Sequence, residues 1–303
     1  MNRLPQGVLA IVPAVFAMAL TDAIFKQWSA GISLWQIWVL RSLMVLPVLY
    51  LMAGGRVGLR DGGVWIALRC LALVGMYLTM YPALPLIDMA LAGAAFYTAP
   101  LFIAGLSALV LGSRITGRQW LAILVGFAGL LLIVRPFGLS FTPVILLPVA
   151  AAFCYACAAV VTRARCTEVD PVAMGFWLNA SFLACGTLGM GLLQSGLIAP
   201  EADFPFLLAA WQPLTLPDWG VLALLAGLMV GVSIAVAAAY KSPQPAVIAT
   251  LEYCYMIFAT FWGFVFFAET PDLWTVAGMA LIAAGGVAVL LAPAPGRAAR
   301  AAA

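Results

Sequence analysis

The chain has 303 residues, of which 66% are hydrophobic and 8% are charged, and its formal net charge is +3. Soluble globular domains are about half apolar and about a quarter charged, so this composition excludes a soluble fold and predicts an all-α membrane protein. The sequence contains no histidine, which excludes histidine-based metal sites, proton relays and catalytic triads.

Apolar segments long enough to cross a bilayer follow one another along the chain. Such a segment needs about 20 residues to span about 30 Å of hydrocarbon. The first is too long for a cleaved signal peptide and carries Asp22 and Lys26. The sequence predicts ten transmembrane helices, at 7–28, 34–53, 63–84, 87–111, 118–135, 143–163, 171–196, 216–240, 245–268 and 273–292.

The connections between these spans divide the basic residues unequally. With a cytoplasmic N-terminus, one side receives Arg3, Arg56, Arg60, Arg114, Arg118, Arg163, Arg165, Lys241, Arg297 and Arg300. The other side receives Lys26 and Arg135. Because basic residues concentrate on the cytoplasmic side of membrane proteins, both termini are predicted to be cytoplasmic.

Charged residues inside the first two spans are candidates for function. A charge near the bilayer centre is costly unless it faces a cavity or a partner. Asp22 and Lys26 are one helical turn apart, so they can pair locally or take part in a gate. Arg41 lies in the outer half of the second span. It can bond carbonyls or an acid on a neighbouring helix, or belong to the same charged gate.

Tyrosines recur in the later spans. Tyr77 and Tyr81 are in the third span, Tyr97 in the fourth, Tyr155 in the sixth and Tyr253 in the ninth. A tyrosine combines apolar area with one hydroxyl, which suits a mostly apolar pocket with a few polar contacts. We predict that these residues line a substrate cavity, with ordinary helix packing as the alternative.

The ninth span carries an isolated acid, Glu252, about 10 Å from its cytoplasmic end at about 1.5 Å per residue. No basic residue lies in the same segment. Glu252 either faces water or substrate inside a cavity, or is buried in its neutral form with a hydrogen bond to a neighbour. In the eighth span, Gly227 and Gly231 have the spacing that permits close helix packing.

The two halves of the chain resemble each other. An offset of 156 residues brings Tyr97 onto Tyr253, and an offset of 137 brings Lys26 onto Arg163. Since each half has five spans, an odd number, the second half enters the membrane in the opposite sense. Inverted repeats are typical of secondary transporters, with the substrate site between the halves. The predicted repeats are residues 1–140 and 141–303.

Motifs along nearly the whole chain resemble those of the EamA-repeat type in the drug/metabolite transporter superfamily. W-V-L-R-S around Arg41, Y-P-A-L from Tyr81 and F-F-A-E-T-P-D around Glu269 follow in the family's order. Ser113 departs from the pattern, because the first repeat usually has the glutamate matched here by Glu269; Met256 stands where a proline is usual. The resemblance implies a ten-helix bundle that moves small metabolites by alternating access. It points to the aromatic amino-acid exporter branch.

These observations predict a secondary transporter that exports amino acids, aromatic or otherwise apolar, and related small metabolites across the bacterial cytoplasmic membrane. Its central site is predicted to be lined by Glu252, Tyr97, Tyr253, Tyr77, Tyr81 and Tyr155, and its charged gates by Asp22, Lys26, Arg163 and Arg41. Alternatives are a carrier for nucleotide sugars, sugar phosphates or lipophilic drugs, and a passive channel or facilitator.

The expected partners are the small-molecule substrate and the lipid bilayer. No catalytic residue, cofactor, metal or nucleic-acid partner is expected. A membrane enzyme is disfavoured, since no acidic and serine residues cluster towards one bilayer surface, and no nucleotide-binding loop is present. The oligomeric state is left open, and a monomer is compatible with the sequence.

Overall fold

The computed structural model describes residues 6–28, 31–58, 63–111, 117–134, 142–166, 168–196, 205–240 and 254–291. Every regular element in these ranges is helical. The α-helices are α1 Gln6–Trp28, α2 Leu34–Met52, α3 Gly63–Met80, α4 Met89–Phe96, α5 Ala99–Leu111, α6 Gly117–Val134, α7 Leu146–Arg165, α8 Pro171–Gln194, α9 Pro205–Leu208, α10 Leu216–Tyr240, α11 Cys254–Phe267 and α12 Leu273–Leu291. Short 3₁₀ turns cover Tyr81–Ala83 and Pro143–Ile145.

The described helices are those of a membrane protein. Seven stretches, in α1, α2, α3, α4–α5, α7, α8 and α10, are long and apolar enough to cross a membrane. Shorter apolar helices lie in α6, α11 and α12. The predicted all-helical membrane class is therefore confirmed over the described residues, and a total of ten crossings stays a prediction.

The fourth predicted span is interrupted. α4 ends at Phe96 and α5 begins at Ala99. Pro100 has no backbone N–H, so it cannot donate the helical hydrogen bond to the Phe96 carbonyl. The Thr98 hydroxyl donates instead to the Ala95 carbonyl at 2.7 Å. Tyr97 therefore lies at a break between two helices, inside the segment predicted at 87–111.

Local side chains fix where two of the helices begin. Ser33 precedes α2, and its hydroxyl accepts a hydrogen bond from the Gln36 amide at 3.4 Å. Asp170 precedes α8, and its carboxylate accepts from the Val172 amide at 3.0 Å. These caps satisfy N–H groups that have no partner within the helix, so both helices enter the bundle at defined points.

Helices of the first half pack mainly against helices of the second half. α2 packs on α8, α3 on α7 and α6 on α12, while α1 lies against both α10 and α11. α4 and α5 contact α7, and α4 also contacts α11. One apolar core contains the fully buried Phe25 and Trp38, and a second contains Ile11 and Ile282. The space between the halves is thus the interior of the protein.

α6 and α12 approach each other most closely at two glycines. A Cβ atom on Gly278 would lie 2.4 Å from Cγ1 of Ile133 and 2.8 Å from the carbonyl oxygen of Gly129. The absence of a side chain therefore allows the two backbones to meet.

Gly227 and Gly231 on α10 behave differently. A Cβ atom on either glycine would meet no atom within 4 Å among the described residues. Both glycines line an apolar groove of about 500 Å³ between α1 and α10. The close packing that this spacing permits is therefore not seen at either glycine among the described residues, where the small residues line a groove.

The two ends of the bundle carry different charges. At the end where α2 and α7 finish lie three arginines and two acids, namely Arg56, Arg163, Arg165, Glu168 and Asp170. At the opposite end lie Lys26, Asp88, Asp218, Glu269 and Asp272. We call the first the basic end and the second the acidic end. By the basic-residue rule the basic end would be cytoplasmic, and this orientation stays a prediction.

Candidate functional site

Polar side chains from several helices meet inside the apolar bundle. Asp22 comes from α1, Arg41 from α2, Tyr77 from α3, Tyr81 from the following 3₁₀ turn and Tyr255 from α11. Arg41, Tyr81 and Tyr255 are buried, and Asp22 and Tyr77 are partly buried. We call these five residues the polar cluster. Its members come from both halves of the chain, so it lies where the halves meet.

Asp22 and Tyr255 form the link between the two halves. The Tyr255 hydroxyl donates a hydrogen bond to Oδ2 of Asp22. The ring of Tyr97 stacks on that of Tyr255, with centroids 5.3 Å apart and planes inclined by 25°. The break between α4 and α5 thus places an aromatic ring directly beside the carboxylate's hydrogen-bond partner.

Arg41 lies in a box of aromatic rings. Its guanidinium carbon is 5.4 Å from the ring centroid of Phe25 and 5.3 Å from that of Phe182. Tyr81 stacks on Phe25 at 4.1 Å, and Tyr77 lies 5.0 Å from Tyr81. Arg41 is 1% exposed, yet its Nε and Nη2 atoms have no hydrogen-bond partner among the described residues. The expectation that Arg41 bonds carbonyls or an acid is therefore not met at these two atoms.

A second charged group lies at the acidic end of the bundle. Nζ of Lys26 pairs with Oε1 of Glu269 and donates to the Ile87 carbonyl at 2.7 Å. Oε2 of Glu269 accepts from the Met89 amide at 2.7 Å. Ala268, just before the acid, has a positive φ of 54° that turns the chain after α11. This ion pair joins α1, the start of α4 and the α11–α12 connection, and we call it the acidic-end latch.

The acidic end has a further connection between α2 and the segment before α10. Nε2 of Gln36 donates to the Gln212 carbonyl at 2.7 Å, and the Gln212 amide donates back to Oε1 of Gln36 at 3.0 Å. Nε1 of Trp35 donates to the Leu207 carbonyl at 2.8 Å. Together with the latch, these bonds connect segments of the two halves at the acidic end.

The structure brings some of the predicted site residues together and separates others. Asp22, Arg41, Tyr77 and Tyr81 belong to the polar cluster, and Tyr97 stacks on its Tyr255. Asp22 and Lys26 have separate partners, Tyr255 and Glu269, in place of the local pair that their spacing allows.

The remaining predicted residues lie away from the polar cluster or outside the described part of the chain. Tyr155 lies beside Phe96, with ring centroids 5.6 Å apart. Arg163 is exposed at the basic end. Glu252 and Tyr253 lie outside the described residues.

Two important residues were missed from the sequence. Tyr255, two residues after the predicted Tyr253, is the described tyrosine of the ninth span that donates to Asp22. Glu269 was identified in its family motif alone, and its pairing with Lys26 was not predicted. A search of the sequence for acidic residues at the same end of the bundle as Lys26 would have included Glu269. The buried Phe182 offered no such signal, since phenylalanine is common throughout these spans.

Metal binding has no support in the described part of the chain. It contains no group of three or more Cys, Asp or Glu residues placed to hold an ion. Its cysteines are free and lie in or beside membrane-spanning helices. The chemistry on offer is therefore recognition by charge, hydrogen bond and aromatic surface.

Comparison with known proteins supports transport. Residues 5–135 match the EamA-like transporter family, which confirms the EamA resemblance over that segment. The pseudopaline exporter CntI of Pseudomonas aeruginosa is 28% identical over 95% of this chain and 97% of its own length. A riboflavin transporter of Brucella anthropi is 25% identical over 84% of this chain and 85% of its own. Neither is named as an aromatic amino-acid exporter, so these relatives lend that finer branch no support.

A solved crystal structure shares the fold. It superposes with a TM-score of 0.64 at 21% identity and covers 95% of this chain and 99% of its own. The likeness extends over both halves of the chain, so the helical arrangement around the polar cluster is that of a known architecture.

Proposed function

We propose that this chain, which is EamA-like over residues 5–135, is a secondary transporter that exports amino acids or related small metabolites across the bacterial cytoplasmic membrane. The observation that carries this proposal is the polar cluster, where Asp22 and Arg41 lie inside a bundle of membrane-spanning helices. Charged residues at such depth are costly and usually mark a substrate or ion pathway.

The polar cluster suits a small ligand with both polar and apolar parts. Asp22 and Arg41 have opposite charges, and the rings of Phe25, Tyr81 and Phe182 surround the arginine. An amino acid, with two opposite charges and a side chain, fits such a set of groups. The relatives named for pseudopaline and riboflavin favour a wider class of metabolites as the second candidate.

Two inverted repeats, 1–140 and 141–303, would provide the alternating access. The helix contacts support this proposal. When each helix is replaced by its counterpart in the other repeat, one observed contact becomes another observed contact. With α4 and α5 counted as one span, α3 against α7 corresponds to α1 against α10, and α1 against α11 corresponds to α5 against α7. The α2–α8 and α6–α12 contacts correspond to themselves. Such a pattern would let the two ends open in turn around a fixed central site.

The transport proposal is tested by counterflow in liposomes that contain the purified full-length protein. Liposomes are loaded with one unlabelled amino acid or riboflavin, and uptake of the labelled compound is followed. Saturable, competitive exchange is expected for at least one compound. Uptake that rises linearly with concentration would identify a channel instead, and no uptake of any compound by folded protein would contradict the proposal.

Asp22→Asn is expected to lower the initial rate of counterflow by about 10- to 100-fold. The change removes the charge that accepts the Tyr255 hydrogen bond. Hydrogen bonds to charged groups contribute about 1.5–3 kcal/mol, and about 1.4 kcal/mol is a factor of ten. Asp218→Asn, the same substitution near the surface end of α10, is the control and should leave the rate unchanged. Equal counterflow rates for Asp22→Asn and Asp218→Asn would show that Asp22 is not part of the site.

Glu252, with Tyr253 and Tyr155, remains a proposed cavity residue. Glu252→Gln keeps the shape of the side chain and removes its charge. If Glu252 faces the substrate, this variant should transport more slowly while its yield and melting temperature match those of the wild type. Unchanged counterflow of every transported compound would show that Glu252 is not part of the cavity.

A further inference from the structure

Resting on the proposed transport function, we propose that Arg41 is the substrate-binding residue for a carboxylate group, held by the unpartnered Nε and Nη2 atoms in the aromatic box. The transported compounds are then organic carboxylates. This assignment names both the chemical class of the ligand and the atoms that recognise it.

Arg41 interacts electrostatically with Tyr81 and Asp22, but its buried Nε and Nη2 donors have no acceptor among the described residues. The side chain is 1% exposed, and arginine stays charged under all ordinary conditions. A buried charge with unsatisfied donors is strongly disfavoured. Lys26–Glu269 is the ion pair found in the described part of the chain, so Asp22 does not neutralise Arg41 in direct contact. A ligand that supplies the missing acceptors would offset this cost.

The two unpartnered atoms point to the shape of the ligand. Nε and Nη2 form one edge of the planar guanidinium group, and their N–H bonds run nearly parallel. A carboxylate presents two oxygens at matching spacing, which gives the bidentate pair typical of arginine and carboxylates. The guanidinium carbon lies over the rings of Phe25 and Phe182, so aromatic surface lies beside the recognising group.

The surroundings favour a carboxylate over a phosphate. A phosphate carries more charge than a carboxylate and would call for further cations. Arg69 on α3 donates through Nε to the Thr162 hydroxyl at 3.0 Å near the basic end, and its Nη1 atom also has no partner among the described residues. A second unpartnered polar atom lies on α8, the helix whose Phe182 contacts Arg41. Asn179 is 0% exposed, lies one turn before Phe182 on α8, and its Oδ1 atom has no partner among the described residues. It can accept a hydrogen bond from an ammonium, amide or hydroxyl group.

The test compares each acid with its uncharged amide. The melting temperature of the purified full-length protein is measured with the twenty common L-amino acids, with their carboxamides and with inorganic phosphate. At least one amino acid should raise the melting temperature, and its carboxamide should bind at least tenfold more weakly. Equal binding of acid and amide, no effect of any acid, or stabilisation by phosphate alone would overturn the assignment. These comparisons need no variant, so they hold even if an Arg41 variant fails to fold.

Variants then locate the carboxylate. Arg41→Lys keeps the positive charge but loses the two parallel N–H donors of the guanidinium group. This variant should bind the acid about 10- to 100-fold more weakly. Arg41→Gln should bring the ratio of acid to amide affinity close to one, an effect that a merely structural role would not produce. Arg69→Gln is the matched control and should keep the wild-type ratio. An unchanged ratio in Arg41→Gln would overturn the assignment.

The outcome also separates this assignment from the transport proposal. Acid-selective binding without counterflow would retain the carboxylate site and contradict transport. Counterflow of compounds regardless of their carboxylate would retain transport and contradict the site.

Discussion

Replacing Lys26 or Glu269 alone by alanine is expected to destabilise the folded protein by about 3 kcal/mol or more, because each change leaves one charge of a buried pair without its partner. The two side chains are 11% and 12% exposed. Lys26→Ala also removes the donor to the Ile87 carbonyl, and Glu269→Ala removes the acceptor of the Met89 amide. The effect should appear as a lower melting temperature of the purified protein in detergent.

A double variant separates the charge effect from the loss of packing. Lys26→Met combined with Glu269→Gln removes both charges and keeps the side-chain volumes similar. Its stability should lie closer to the wild type than either single variant does, since replacing both members of a buried pair is often nearly neutral. Arg163→Ala, the repeat counterpart of Lys26, is exposed and should change stability by less than about 0.5 kcal/mol. Single variants as stable as Arg163→Ala would show that the latch contributes nothing.

The acidic-end latch also bears on transport. Under the proposed repeat, the counterpart of Glu269 is Ser113, so the basic end has no carboxylate at the matching position. If no ion pair forms at the matching position of the basic end, the latch would favour the conformation in which the acidic end is closed. If the basic end is cytoplasmic, the resting protein would face the cytoplasm, as an exporter requires for loading its substrate.

Gly278→Val is expected to destabilise the protein by about 3 kcal/mol, because inserted methyl groups in a packed interface force the backbones apart. A Cβ atom alone would already lie 2.8 Å from the carbonyl oxygen of Gly129, and a backbone oxygen cannot move independently of its helix. The contact is the tightest part of the α6–α12 interface. Thermal unfolding and the fraction of monodisperse protein on size-exclusion chromatography would both report the damage.

Gly227→Ala provides the matched control. The added Cβ atom would face the open groove beside α10, and alanine favours a helix by about 1 kcal/mol over glycine. This variant should be as stable as the wild type or slightly more stable. If Gly278→Val were equally stable, the close approach of α6 and α12 would not be a packing requirement.

Much of the fold could be predicted from the sequence, because apolar length is a strong signal in membrane proteins. Apart from the short α9, the described helices lie at the predicted spans, and their bounds differ by a few residues. Residues 245–253 of the ninth span lie outside the described part of the chain. The interruption at Tyr97 was harder to predict, since Pro100 permits a break but does not require one. The open groove at Gly227 depends on which helix lies opposite, and the glycine spacing alone does not contain that information.

The candidate site was predictable in part. Asp22 and Arg41 were identified because charges are rare in apolar spans, and this signal does not depend on knowing the tertiary structure. Their partners could not be identified in the same way. Which of Tyr253 and Tyr255 faces inward depends on the rotation of the helix about its axis. In an apolar helix with no polar face, the sequence pattern does not predict that rotation.

The acidic-end latch has a consequence for the synthesis of the protein. Lys26 and Glu269 are 243 residues apart, so at about 5–20 residues per second the glutamate is made about 12–50 s after the lysine. The Ile87 carbonyl, 61 residues after Lys26, is available much earlier. Until the final hairpin inserts, the first helix must therefore remain in the bilayer before Lys26 can meet Glu269. A chain that ends before Glu269 would never form the latch, and we expect membrane proteases to remove it.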